Sequence, residues 1–171
     1  MKKIVFLDRD GTISKEYPDE EWRYVKEPIL LENNIEGLRI IRDLGYEMII
    51  LTNQNLIADK IITFEQYEDY SNKLIKILND NGINILKTYY CPHNDLDNCD
   101  CKKPKTGMID NSLKDFDIDL NNSFYVGDSY SDYELANKFN LKFYGIKGQN
   151  NDEIFKYNNL LEVASNINKG E

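Results

Sequence analysis

Two aspartates separated by one residue, Asp8 and Asp10, follow a short apolar run and precede Gly11. In a locally extended turn, alternation around Arg9 lets both carboxylates face one pocket while Gly11 allows the chain to bend away. One could attack an electrophile and the other could shuttle protons. An Asp-Gly pair after a strand is also ordinary turn chemistry, so the pair alone leaves both readings open. Asp128, directly after Gly127 at the end of another apolar run, adds a third carboxylate. A carboxylate trio repels itself without a cation, and a hard ion such as Mg²⁺ takes such ligands: Asp8, Asp10 and Asp128 are its candidates.

A second cluster has softer donors. Cys91, His93, Cys99 and Cys101 include every cysteine and the only histidine of the chain. Paired C-x-H and C-x-C spacings of this kind suit zinc, and four protein ligands leave no open position, which predicts a structural ion. An odd cysteine count argues against a disulfide framework.

Strand-like and helix-like segments alternate along the whole chain, which predicts a parallel sheet with helices on its faces. The first strand covers Lys3 to Leu7. Asn34 is a candidate cap for a helix striped by Ile35, Leu38, Ile41 and Leu44 and stopped by Gly45. Strands follow at Glu47 to Leu51 and Leu86 to Tyr90, separated by a helix with a Thr63/Gln66 capping box and a stripe of Tyr67, Tyr70, Leu74, Ile77 and Leu78. Thr106 opens a helix to about Phe116, and Ser123 to Val126 forms the next strand. Ser131 and Glu134 read as a capping box for a helix carrying Leu135, Ala136 and Phe139. Leu141 to Ile146 is the last strand, and Asn151 to Ile167 reads as a closing helix. Ligands of such sheets sit beyond the carboxyl ends of the strands, where Asp8, Asp10, Thr52, Asn53 and Asp128 fall.

The 171 residues fit one domain, 1–171, and 41% hydrophobic with 12% aromatic residues is enough for a core. A net charge of −9 argues against general nucleic-acid binding. No apolar run is long enough to span a bilayer, and Ile4–Leu7 is too short for a signal segment, so no membrane partner and a cytoplasmic location are expected.

Phe6-Leu7-Asp8-Arg9-Asp10-Gly11-Thr12, Thr52-Asn53-Gln54, Lys103 and Gly127-Asp128 with Asp132 resemble the four motifs of the haloacid dehalogenase (HAD) superfamily of phosphatases. The segment from Cys91 to Met108 resembles its zinc-bearing branch, which contains D,D-heptose 1,7-bisphosphate phosphatase and histidinol-phosphatase. The resemblance implies a three-layer α/β/α Rossmann-like domain without a large cap, a zinc-binding loop, and Mg²⁺-dependent phosphomonoester hydrolysis in carbohydrate metabolism. It implies Asp8 as nucleophile, Asp10 as acid and base, Thr52 and Lys103 as phosphoryl contacts, and Asp132 in support of the metal site. Arg9, Asn53, Gln54, Asn55 and Lys102 are then candidate substrate contacts. The expected partner is a small phosphorylated metabolite, a heptose-type bisphosphate ahead of histidinol phosphate, handled by a monomer. A polynucleotide 3′-phosphatase, a phospho-receiver domain and a zinc-ribbon module are the competing readings.

The chain also departs from that branch. Asn55 to Lys60 lacks the arginine usual after the second motif, Ser129 replaces a lysine, and Lys102 stands where an arginine is common. Specificity is therefore expected from Glu16–Lys26, Asn55–Lys60 and the zinc loop.

Overall fold

Ile4–Leu7 (β1) is buried on both faces, and that is how a continuous apolar run must sit if it is the middle strand of a covered parallel sheet. In the computed structural model, which describes residues 1–170, β1 is joined by Glu47–Asn53 (β2), Ile85–Cys91 (β3), Phe124–Gly127 (β4) and Lys142–Gly145 (β5). All pair in parallel, in the order β3-β2-β1-β4-β5. The alternation of β1 divides the core: Val5 and Leu7 face one side, Ile4 and Phe6 the other.

On the first side lie Asn34–Asp43 (α1), Phe64–Asp80 (α2) and Leu160–Asn168 (α5). Leu38, Ile41, Tyr70, Leu74 and Val163 pack there against β1, β2 and β4. α1 and α5 touch so closely that a Cβ on Gly37 would overlap the Leu160 backbone. Gly107–Asp115 (α3) and Tyr130–Lys138 (α4) cover the other side through Met108, Ile109, Leu135 and Ala136. The result is the three-layer α/β/α arrangement.

Several local expectations need correction. Asn33, not Asn34, precedes α1, and it makes no side-chain cap. Asn34 is buried instead: its amide donates to the Thr12 and Ile13 carbonyls, and its oxygen accepts from Leu160 N. The box on α4 is Ser129 with Asp132 rather than Ser131 with Glu134, because Ser129 holds the extended conformation a cap needs. The closing helix begins only at Leu160, capped by Asn159, and residues 151–159 are irregular, with an isolated bridge from Tyr157 to Ile146. The Thr63/Gln66 box stands as expected. Residues 8–33, between β1 and α1, carry a 3₁₀ turn, Asp19–Tyr24, and isolated bridges of Ser14 with Asp10 and Leu30. No helix among the described residues is long and apolar enough to cross a membrane.

Candidate active site

Asp8 directly follows β1 and Asp128 directly follows β4, the two strands where the sheet order reverses direction. A crevice opens at such a switch point, so the topology brings together two acids 120 residues apart in sequence. Gly11, at φ +86°, makes their approach possible, since a Cβ there would overlap Asp128 Oδ2. Asp8, Asp128 and Asp132 each offer an oxygen within 4.8 Å of the others.

Lys103 is the cation among them. Its buried ammonium donates at 2.8 Å to Asp8 Oδ1, to Asp132 Oδ1 and to the Leu51 carbonyl, using all three protons. Burial opposes its charge, but Asp132 and Asp8 outweigh burial and hold its pKa well above the usual lysine value. Asn53 fixes the loop behind it: Oδ1 accepts from Lys103 N at 2.9 Å, and Nδ2 donates to Lys103 O at 3.3 Å. Asp132 is fully buried and also accepts from Tyr125 OH and Ser129 Oγ, each at 2.8 Å.

Three carboxylates against one ammonium leave negative charge uncompensated. Burial, then the charge of Asp132, raises the Asp8 pKa despite Lys103. Burial, the charge of Asp8 and a hydrogen bond to it push Asp128 up to about 10. Hard oxygen donors with an excess of negative charge fit a divalent cation, so the residues present accommodate Mg²⁺.

Asp10 is engaged differently. Oδ1 accepts from Arg9 Nε at 2.9 Å, while Oδ2 accepts from Arg9 Nη2 at 2.9 Å and Gln54 Nε2 at 3.0 Å. Its carboxylate therefore stands apart from the cluster of Asp8, Asp128 and Asp132, engaged by Arg9 and Gln54. Gln54 also donates to Thr52 Oγ1 at 2.8 Å.

A cavity of about 1040 Å³ lies over these groups, lined by Asp8, Asp10, Thr52, Asn53, Lys103 and Asp128 at its reactive end. Asn55 lines it as well, with its amide held by Asp59. Arg9 and Gln54 are not in its wall, being buried behind Asp10, and Lys102 is drawn off by Asp95 at 2.8 Å. Glu16, Tyr17 and Pro18 do reach the cavity. Sequence reasoning missed Lys15 and the amides Gln149, Asn150, Asn158 and Asn159 on the wall. Asn150 donates to the Asp128 carbonyl at 2.7 Å. Single amides in a turn-rich segment have no periodic signal.

The soft cluster also assembles: Cys91, His93, Cys99 and Cys101 place their ligand atoms within 4.8 Å of one another. Burial pushes the Cys91 thiol up; burial also opposes the Cys99 thiolate, but backbone amide donors at Lys102 and Cys101 together with hydrogen bonds from Cys91 and Cys101 outweigh it and draw Cys99 down to about 6. Lys105 closes the loop by donating to the Cys99 carbonyl.

A parallel sheet with acids beyond two adjacent central strands and a buried lysine between them defines a phosphatase of the HAD superfamily. A family model described as polynucleotide kinase 3 phosphatase matches residues 3–152, and the chain belongs to that family. It is 37% identical over 145 residues to a protein of Thermoplasma volcanium named as a probable D-glycero-D-manno-heptose-1,7-bisphosphate 7-phosphatase, covering 82% of this chain and 96% of that one. It is 38% identical over 147 residues to the D-glycero-alpha-D-manno-heptose-1,7-bisphosphate 7-phosphatase of Photorhabdus laumondii, covering 80% and 77%. Its fold matches, with a TM-score of 0.84 and 23% identity over 100% of both chains, the crystal structure of D,D-heptose 1,7-bisphosphate phosphatase from B. bronchiseptica complexed with magnesium and phosphate.

Proposed function

We propose that residues 1–171 form one phosphatase domain that hydrolyses a phosphomonoester of a small sugar phosphate, of the heptose 1,7-bisphosphate type, through a phosphorylated Asp8. The observation that carries this reading is the Asp8 carboxylate at the cavity floor, paired at 2.8 Å with Lys103 and facing Asp128. The names of the relatives support the substrate class, as does a cavity whose wall is rich in amides, groups able to bond hydroxyls.

Asp8 and Asp128, with the Asp10 carbonyl, would hold Mg²⁺, whose chemistry is to neutralise and orient phosphoryl oxygens. Asp8 attacks phosphorus, and the ester P–O bond breaks as Asp10 gives its proton to the departing oxygen. Asp10 then takes a proton from water, the water oxygen attacks phosphorus, and the bond to Asp8 breaks. Orthophosphate leaves and both aspartates return to their starting states. Lys103 stabilises the equatorial oxygens and favours the ionised form of Asp8, and Thr52 donates a hydrogen bond to the phosphoryl group. Asp132 holds Lys103 in place.

Cys91, His93, Cys99 and Cys101 would hold a structural zinc: thiolates and imidazole are its preferred donors, and a closed set of four leaves it no catalytic position. The ion then pins the loop that presents Lys103. In this reading the enzyme acts as a monomer in the cytoplasm, where thiols stay reduced and available to metal.

The test is phosphate release, with Mg²⁺, from heptose 1,7-bisphosphate, histidinol phosphate and a 3′-phosphorylated oligonucleotide. The sugar bisphosphate is expected to give the highest kcat/KM. Preference for the oligonucleotide would contradict the reading; the net charge of −9 already opposes it.

A further inference from the structure

The buried side of Asp10 has no role in the chemistry above, yet it accepts three side-chain hydrogen bonds, two of them from one buried arginine. Arg9 is only 3% exposed. Its guanidinium carbon lies 4.6 Å from the ring centre of Tyr70, 5.6 Å from Tyr67 and 5.9 Å from Trp22. Nη1 donates to Ser71 Oγ at 3.1 Å, which leaves Nε and Nη2 aimed at the two oxygens of Asp10. Trp22 is fixed in turn, edge-on to Tyr17 at 5.2 Å and to Tyr70 at 5.5 Å, with its indole N–H donating to the Tyr17 carbonyl.

We propose that Arg9 is a positioning residue for proton transfer: the aromatic enclosure fixes its guanidinium, and the two-pronged contact fixes the Asp10 carboxyl against the leaving oxygen. The inference rests on the reading of Asp10 as the acid and base. A carboxyl oxygen has two lone-pair directions. Oδ2 fills both with Arg9 and Gln54, while Oδ1 accepts only from Arg9 Nε. Oδ1 therefore carries the exchanged proton. A planar arginine fork sets both the position and the tilt of a carboxyl, and a lysine point charge sets neither. This also gives the aromatic run between Glu16 and Lys26 a task, since Trp22, in the 3₁₀ turn that follows β1, closes the enclosure.

The experiment compares kcat/KM for p-nitrophenyl phosphate, whose leaving group needs no proton, with kcat/KM for an alkyl phosphate, whose leaving group does. This parameter stops at departure of the leaving group, so it isolates the acid step. Asp10→Asn is expected to lose about 100-fold or more on the alkyl ester beyond its loss on the aryl ester. Arg9→Met should show the same selectivity, a further loss of about 10- to 100-fold on the alkyl ester, because a displaced catalytic group is nearly an absent one. Arg9→Lys should fall between Arg9→Met and the unaltered protein. It keeps a cation among the rings, so it decides the matter if Arg9→Met does not fold. Equal losses on both esters in the Arg9 variants, with selective loss in Asp10→Asn, would mean that Arg9 serves only the fold and would overturn the proposal. Equal losses in Asp10→Asn itself would overturn both the proposal and the reading of Asp10.

Discussion

Asn53 grips the main chain of Lys103 at both ends, accepting from its N–H at 2.9 Å and donating to its carbonyl at 3.3 Å. The residues are 50 positions apart, one at the end of β2 and the other in the loop beyond the cysteine cluster. The strand thereby sets where the ammonium of Lys103 stands, independently of the charges it meets.

Asn53→Ala should lower kcat roughly 10- to 100-fold by loosening that lysine. The stability loss should be small, about 0.5–1.5 kcal/mol for each bond removed. Thermal melting and steady-state kinetics on one preparation check this; an unchanged kcat would mean that the clamp does not position the lysine.

Lys103→Met removes the one cation buried with Asp8 and Asp132. Breaking a buried ion pair from one side typically costs about 3–5 kcal/mol, and the loss of phosphoryl stabilisation should reduce kcat/KM by about 100-fold or more. The folded pKa of Lys103 is raised, so its contribution is complete below the unfolded lysine value and fades only at higher pH. Chemical denaturation between pH 5 and pH 9 should therefore show a stability deficit in the variant that does not grow through loss of the lysine charge.

How far the sequence carries can be judged at particular residues. β1, the Thr63/Gln66 box and the cysteine–histidine cluster were legible because each is written in a short stretch of residues, whereas Asp8 and Asp128 are brought together only by the sheet order. Asn34 was misread because its amide answers to Thr12, Ile13 and Leu160, contacts created only when α1 packs against the turn after β1 and against α5. Ser129 and Ser131 offer equal local signals for a cap, and the direction in which β4 enters the turn decides between them. The pairing of Lys102 with Asp95 had no signal, since the two meet only once the loop folds. Asn150 and Asn159 had no pattern to betray a cavity wall, since that wall exists only after the segment following β5 packs back over the site.

Without metal, the Asp128 carboxyl is pushed up to about 10 and holds its proton at neutral pH. A carboxyl whose folded pKa is raised stabilises the fold fully below its unfolded value, near 3.8, and less as pH climbs toward the folded one. Protein stripped with a chelator should melt progressively lower from about pH 4 toward pH 10 through this group, and Mg²⁺ should flatten the dependence. Calorimetry at pH 7 in buffers of different ionisation heat should detect proton release on Mg²⁺ uptake. Uptake without proton release would contradict the charge state assigned to Asp128.

Cys99→Ser should reduce bound zinc and lower kcat while leaving the main sheet folded, since the loop holding Lys103 loses its anchor. Elemental analysis beside activity checks this. Unchanged metal content with unchanged rate would refute the pinned loop.

The most direct measurement is to mix the protein with Mg²⁺ and a sugar bisphosphate, quench in acid within the first turnovers, and map the modified peptide by mass spectrometry. One phosphoryl group should appear on Asp8, disappear as substrate is exhausted, and be absent from Asp8→Asn, which should not turn over. A phosphoryl group on any other residue, or turnover by Asp8→Asn at the unaltered rate, would contradict the account.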